Sequence, residues 1–337
     1  MYLGIDLGTS EVKALVIDEN HEVIASHSAP LSIQRPHPHW SEQAPELWWE
    51  ATEYLMATLR EKCAQHWPAI KAIGLSGQMH GAVLLDAEGK AIRPAILWND
   101  SRTSQETEYL NSVVGRGVLS ARTANIAFAG FTAPKLLWMK KNEPELFRRI
   151  ARVMLPKDYL VYRMTGVHAT DFSDASGTLL LDVKNKCWHP DMLALCGISE
   201  NQMPALYPSY APVGTLRPDA ARALGLAGNT VVCAGAGDNA AAAVGTGAVG
   251  DGGCNISLGT SGTIFISSSA FRADPHNALH AFAHADGGWH LMGCMLSAAG
   301  CNQWWMEKIL GAADYGGEQE KIDCGRLGCN DVFFCPT

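Results

Sequence analysis

The sequence predicts a two-lobed α/β protein that grips phosphate, and three observations predict it. Leu7-Gly8-Thr9-Ser10 returns letter for letter as Leu258-Gly259-Thr260-Ser261, each copy set between apolar stretches of strand composition. A chain of 337 residues exceeds one comfortable hydrophobic core, so two domains are expected. Short β-branched runs alternate with helical patterns, and polar loops follow the strands, where ligands of open α/β sheets usually sit. Glycine in each turn lets backbone N–H groups approach an anion closely, and the Thr and Ser hydroxyls add donors. Two such turns facing each other would hold a polyphosphate from both sides.

Hydrophobic residues at 47% and charged residues at 18% describe an ordinary globular chain. A net charge of −8 argues against nucleic acid and against an anionic membrane surface as partners. Bound ATP would have to be met locally, by backbone amides, a few cations and a metal ion. No apolar run reaches the roughly 18 residues of a membrane span. Asp6 interrupts the stretch a signal peptide would need, which places the chain in the cytoplasm. The ten cysteines form no paired framework and read as reduced thiols. Cys324, Cys329 and Cys335 cluster, but their spacings fit no zinc pattern.

In chain order, residues 2–29 read as three short strands, broken at Gly8-Thr9-Ser10 and at Glu19-Asn20-His21. The polar segment Arg35-Pro36-His37-Pro38-His39-Trp40 leads to a helix opened by Pro45, a first-turn proline. Trp48, Ala51, Leu55 and Leu59 recur there at helical spacing, as a core-facing stripe does. Ile70 to Ser76 is a buried strand that delivers Gly77-Gln78-Met79-His80-Gly81. A hairpin around Glu88-Gly89 and the segment Ile96-Leu97-Trp98-Asn99-Asp100-Ser101-Arg102 come next. The middle, 105–225, alternates helical and loop patterns and reads as an insertion carrying substrate contacts. Thr230 to Ala234 is a strand running into Gly235-Ala236-Gly237-Asp238-Asn239 and an Ala-rich helix. Glycine-rich residues 246–253 form a hinge between residues 1–245 and residues 254–337.

Asp238 is the sharpest chemical candidate. It follows a strand and is placed to cap the next helix, where an anion is stabilised. That suits a base accepting a hydroxyl proton late in a loose phosphoryl transfer; the alternative is a purely structural cap. Residues 235–240 also satisfy the dinucleotide fingerprint G-x-G-x-x-A. A Rossmann unit, however, wants an acidic residue at the end of the next strand, and Asp238 would put a charge inside the pyrophosphate loop. Asp6, just before the first turn, is suited to hold Mg²⁺ or its waters, or else to bond the turn backbone. Lys13 reaches a phosphate or is a solvated strand residue. His80, between Gly77 and Gly81 and beside Gln78, reads as a sugar-hydroxyl contact, the alternative being a satisfied structural histidine.

These residues carry a resemblance. Gly4-Ile5-Asp6-Leu7-Gly8-Thr9-Ser10, Gly77-Gln78-Met79-His80-Gly81, Ile96-Leu97-Trp98-Asn99-Asp100, Gly237-Asp238-Asn239-Ala240 and Ser257-Leu258-Gly259-Thr260-Ser261-Gly262 resemble, in that order, the FGGY carbohydrate kinases. Pro134-Lys135-Leu136-Leu137-Trp138, Pro156-Lys157-Asp158-Tyr159-Leu160 and Ser173-Asp174-Ala175-Ser176-Gly177 extend the match, which covers nearly the whole chain. Gly-Gln-Met-His-Gly is its most discriminating piece and is similar to the members that act on D-xylulose.

The resemblance implies an actin-like pair of ribonuclease H-like lobes with ATP and Mg²⁺ in the cleft. It implies that D-xylulose is phosphorylated at its terminal hydroxyl, with another pentulose or gluconate as alternative substrates and a non-catalytic sugar-binding remnant as an alternative of another class. By similarity, Asp238 and Asp6 are catalytic, Asp6 also holding the metal, and Met79, His80 and Asn239 bind the sugar. Gly8, Thr9, Ser10 and Lys13 face the phosphates from the sugar-binding lobe, 1–245. Gly259, Thr260, Ser261 and Gly300 face the nucleotide from the lobe that begins at residue 254. A homodimer is compatible with the family. Members continue with a Gly-rich adenine-binding segment, so a C-terminally truncated second lobe is expected, one that leaves sugar binding intact, ATP binding weak and turnover slow. Ile264, Phe265, Ile266, Leu291 and Met295 are then expected to be uncovered.

Overall fold

Alternation of apolar and polar residues builds the central sheet. Strand β1 (Tyr2–Leu7) buries Leu3, Ile5 and Leu7 on one face, while Gly4 and Asp6 line a cavity on the other. β2 (Glu11–Ile17) buries Val12, Ala14 and Val16 and runs antiparallel to β1; β3 (Val23–Pro30) runs antiparallel to β2. Helix α1 (Pro45–Lys62) begins on its proline, whose missing N–H would have had no helical partner anyway. Its Trp48, Leu55, Met56 and Leu59 are buried with the inward residues of β1 and β2 in one core. That sheet face continues in β4 (Ala72–Gly77), which lies parallel to β1. The computed structural model describes residues 1–259, 262–295 and 297–322. Thr260 and Ser261 of the second turn, and Cys324, Cys329 and Cys335, lie outside the described residues.

Two helices from the middle of the chain serve the site. α2 (Thr132–Asn142) belongs to a second apolar core with Met79, Ile96 and Phe282, and α3 (Pro156–Thr165) joins the first core through Tyr159, Leu160 and Met164. β5 (Pro212–Thr215), β6 (Val231–Cys233) and β7 (Ala236–Gly237) complete the sheet. Its order is β5-β6-β4-β1-β2-β3, and β7 continues the line of β6 beside β4. The break between β6 and β7 falls at Gly235, with φ +79° and no room for a side chain: a Cβ would lie 2.4 Å from the Leu75 carbonyl oxygen. α4 (Asp238–Gly245) follows at once.

A second, four-stranded antiparallel sheet comes next: β8 (Cys254–Leu258), β9 (Gly262–Ser268), β10 (His280–Ala283) and β11 (Trp289–Met295), in the order β8-β9-β11-β10. The Asn125 side chain exchanges hydrogen bonds with the backbone of Ala281, and the Ser176 hydroxyl accepts from the Ala283 N–H, so the middle segment holds this sheet to the first. Ile264, Ile266 and Met295 are 51%, 46% and 47% exposed, forming an apolar patch with Leu258. Phe265 departs from expectation. Strand alternation turns it to the opposite face, where it is fully buried and stacks on His290 at 3.9 Å. Leu291 is half-buried. α5 (Ala299–Trp304) contains Gly300. Among the described residues, no helix is long and apolar enough to cross a membrane.

Candidate active site

Three parallel strands end on one level. Leu7, Gly77 and Gly237 form one row across β1, β4 and β7, and Asp6, Ser76 and Ala236 form the row before it. The first turn, the Gln78-Met79-His80 loop and Asp238 therefore leave the sheet side by side, at the strand ends where such sheets bind ligands. Ser76 hydrogen-bonds Asp6, whose pKa is nonetheless raised, burial among protein atoms being the larger effect.

Asp238 is the first residue of α4, and Gly237 takes the capping position expected of it. The carboxylate still satisfies an end group of the helix: Oδ1 accepts the Asn239 N–H at 2.7 Å and the Asn239 side-chain amide at 3.0 Å. It opens into the cleft, yet the walls around it displace bulk water and push it up to about 6. The charge of Asp6 adds to that rise.

Two cavities meet at Asp238. One, of about 360 Å³, is polar and lined by Asp6, Ser76, Asp238, Asn239 and Ser257. The other, of about 230 Å³, is lined by Met79, His80, Trp98, Asp238, Asn239, Thr263 and His280, among others. A larger and mainly apolar hollow of about 640 Å³ adjoins Asp6 and Ser76 over the sheet face, and Lys13 borders it. Lys13 stands directly across from Asp6 in the β1–β2 pairing, and its charge lowers the Asp6 pKa.

The first turn and the Gln78-Met79-His80 loop are tied together. The Thr9 hydroxyl donates to Gln78 Oε1 at 3.0 Å and accepts from Trp98 Nε1 at 2.9 Å. Gln78 Nε2 reaches the Gly8 carbonyl at 3.3 Å. The Thr9 hydroxyl is thus engaged inside the protein, whereas Ser10 is exposed. Gly8 bonds Glu11 in the tight turn, its N–H to the carbonyl at 3.0 Å.

His80 Nδ1 lies 2.7 Å from the Gly177 carbonyl, so Nδ1 carries the proton and donates it. Burial pushes the imidazole down to about 3, which keeps it neutral and leaves Nε2 as an acceptor. The ring stacks on Phe131 at 4.7 Å. Gly177 is required there, because a Cβ would fall 2.4 Å from the ring. Met79 packs on Gly237 in the same way, its Sδ 2.9 Å from where a Cβ would be. Asn239 Oδ1 accepts from Thr263 Oγ1 at 3.3 Å, joining the start of α4 to β9 of the second sheet. The Gly259 carbonyl accepts the Ala299 N–H at 2.9 Å, which brings the described part of the second turn beside Gly300.

Sequence reasoning missed several residues. Trp98, Ser257, Thr263 and His280 all reach the cavities. The middle segment, of which substrate contacts were expected, lines neither of these two cavities and reaches His80 instead, through Phe131, Lys135 and Gly177. Behind Asp238 lies a buried cluster: Lys157 Nζ is 2.7 Å from Asp158, 2.9 Å from Asp171 and 3.4 Å from Asp174, all fully buried. Asp171 Oδ2 accepts from Ser173 Oγ at 2.5 Å, and Ser173 Oγ accepts the Gly237 N–H at 3.1 Å. The backbone just before Asp238 is thereby pinned to the core.

Among the described residues, no group of three or more His, Cys, Asp or Glu side chains is arranged to hold a metal ion. Magnesium, which keeps several waters and takes one or two carboxylates plus phosphates, makes no such demand. Asp6, on the polar cavity it shares with Asp238, offers one such carboxylate and fits that coordination.

Residues 1–245 match the FGGY family of carbohydrate kinases, N-terminal domain. The xylulose kinase of Escherichia coli (strain K12) is 50% identical over 305 residues, covering 90% of this chain and 62% of that protein. The xylulose kinase of Bacillus subtilis (strain 168) is 37% identical over 335 residues, covering 99% and 67%. The chain thus spans under two thirds of the length of several curated relatives it matches. Among solved structures, a xylulose kinase from Rhodospirillum rubrum superposes with TM-score 0.91 at 27% identity, over 97% of this chain and 68% of that one. A glycerol kinase from Plasmodium falciparum, at 21% identity and TM-score 0.87, shares the fold, that of actin-like sugar kinases.

Proposed function

Since the chain belongs to the FGGY family of carbohydrate kinases, we propose that its site phosphorylates D-xylulose at a terminal hydroxyl with ATP, giving D-xylulose 5-phosphate and ADP. The observation that carries this reading is that Asp238 and Asn239 line both cavities, so one carboxylate faces a sugar-sized pocket and a phosphate-sized one. The sugar occupies the pocket of Met79, His80 and Asn239, with His80 Nε2 accepting from a hydroxyl. Asp238 takes the proton of the reacting hydroxyl as its oxygen attacks the γ-phosphorus, and the bond to the β-phosphate oxygen breaks. Asp6 would hold Mg²⁺, through its waters, beside the phosphates; the ion supplies charge neutralisation there. Lys13 and the first turn face the phosphates from one side, and Gly259 with Gly300 from the other. In this division residues 1–245 hold the sugar, 246–253 act as the hinge, and the nucleotide side begins at residue 254.

The names of relatives at up to 50% identity support xylulose over other sugars. The test is an ADP-release assay with Mg-ATP over D-xylulose, D-ribulose, glycerol and gluconate. D-xylulose should give the highest kcat/KM. Best turnover on glycerol or gluconate would remove the assignment, and sugar binding without turnover would leave a binding protein.

A further inference from the structure

His80 stands at the centre of a γ-turn: the Gly81 N–H donates to the Met79 carbonyl at 2.9 Å, and φ at His80 is +68°. This is the rarer and more strained hand of γ-turn, and a residue with a Cβ keeps it only where its surroundings over-determine it. The surroundings do so here. The His80 carbonyl accepts from Lys135 Nζ at 2.8 Å and from Thr132 Oγ1 at 3.0 Å. Lys135 is fully buried, and its Nζ also donates to the Gly130 carbonyl at 2.6 Å.

A buried amine aimed at two backbone carbonyls is a costly way to fill core space. Its placement explains the cost. One carbonyl belongs to His80; the other directly precedes Phe131, the ring on which His80 stacks. Lys135 therefore ties the backbones of both stacking partners together at one atom.

We propose that Lys135 is a positioning residue for sugar binding: by holding the His80 and Gly130 carbonyls together it keeps the strained turn closed and aims His80 Nε2 into the smaller cavity. The ligand's identity rests on the sugar-kinase reading; the clamp itself does not. Lys135→Met keeps the apolar stem and removes the donor, Thr132→Val removes the second donor alone, and Lys184→Met, at an exposed site, is the control. Each variant of the full chain is examined by thermal melting, by calorimetric titration with D-xylulose, and by NMR of the His80 Cε1–H, assigned with His80→Gln.

Lys135→Met should melt cooperatively, bind D-xylulose about 10- to 100-fold more weakly, and shift or broaden the His80 signal. Thr132→Val should move both readouts less and in the same direction, and Lys184→Met neither. Weaker binding with an unmoved His80 signal, or a moved signal with affinity within twofold of wild type, would overturn the proposal. Should Lys135→Met fail to fold, Thr132→Val decides by the same two readouts. Should the wild-type chain bind no D-xylulose, the substrate reading falls, and the His80 signal alone decides the clamp.

Discussion

Replacing Asp238 with Asn separates the chemistry of this residue from its place in the fold. Asn offers the same oxygen to the Asn239 N–H, so the start of α4 is kept. Turnover of D-xylulose should fall by roughly 10²–10⁴ once the base is gone. Stability should move the other way. The protein raises the carboxyl from 3.8 to about 6, which in a fully enclosed group would correspond to about 3 kcal/mol of cost in carrying the anion. The carboxylate opens to cleft water, so about 1 kcal/mol is expected to register. The sign follows from proton affinity. Between pH 3.8 and about 6 the folded chain binds this proton and the unfolded chain releases it, so the cost grows through that window and is complete above it. The Asn variant should therefore melt about 1–3 °C above wild type at pH 8, and the gap should shrink towards pH 5. Coupled ADP release and melting curves at the two pH values are the assay, and wild-type turnover should itself decline below about pH 6. Turnover within a few-fold of wild type would refute the assignment of Asp238 as base. A stability gap that ignores pH would refute the electrostatic argument.

Lys157→Met leaves Asp158, Asp171 and Asp174 buried without the cation they share, and should cost about 3–5 kcal/mol in urea unfolding; a loss under about 1 kcal/mol would show that the cluster is not held as described. Gly235→Ala should cost at least about 2 kcal/mol because of its positive φ and the Leu75 carbonyl. Gly74→Ala, with nothing within 4 Å of the added carbon, should stay within about 1 kcal/mol of wild type, and equal effects would defeat the steric account. The double change Ile264→Thr and Ile266→Thr should lower concentration-dependent light scattering, since both side chains lie half-exposed on one apolar patch; unchanged scattering would place association elsewhere.

Much of the frame was legible because its signals are local. The three opening strands follow from alternation, and α1 from Pro45 and its apolar stripe. Asp238 and His80 could be singled out because each stands in a glycine-flanked loop after a strand. What the chain hid is contact between distant segments. Nothing near His280 tells that β10 carries it into a pocket with His80, since that depends on how the second sheet docks against Asn125 and Ser176. Lys135 reads as one residue of a helix, and only the folded chain shows its Nζ on the His80 carbonyl. Thr9 was legible as a donor but not as one already engaged by Gln78. Capping fell one residue earlier than expected because the backbone at Gly237 could take that place and free Asp238 for the cleft.

The shared level of Leu7, Gly77 and Gly237 bears on how such a site could diversify. The backbone ladder fixes the spacing between the first turn, the Gln78-Met79-His80 loop and Asp238, whatever side chains those loops carry. On the proposed roles, Met79, His80 and His280 can therefore be exchanged, and the preferred acceptor altered, while the spacing of Asp238 from the first turn is inherited unchanged. Selection on such a scaffold explores new substrates by repainting one wall of a pocket whose working distances are set in the sheet.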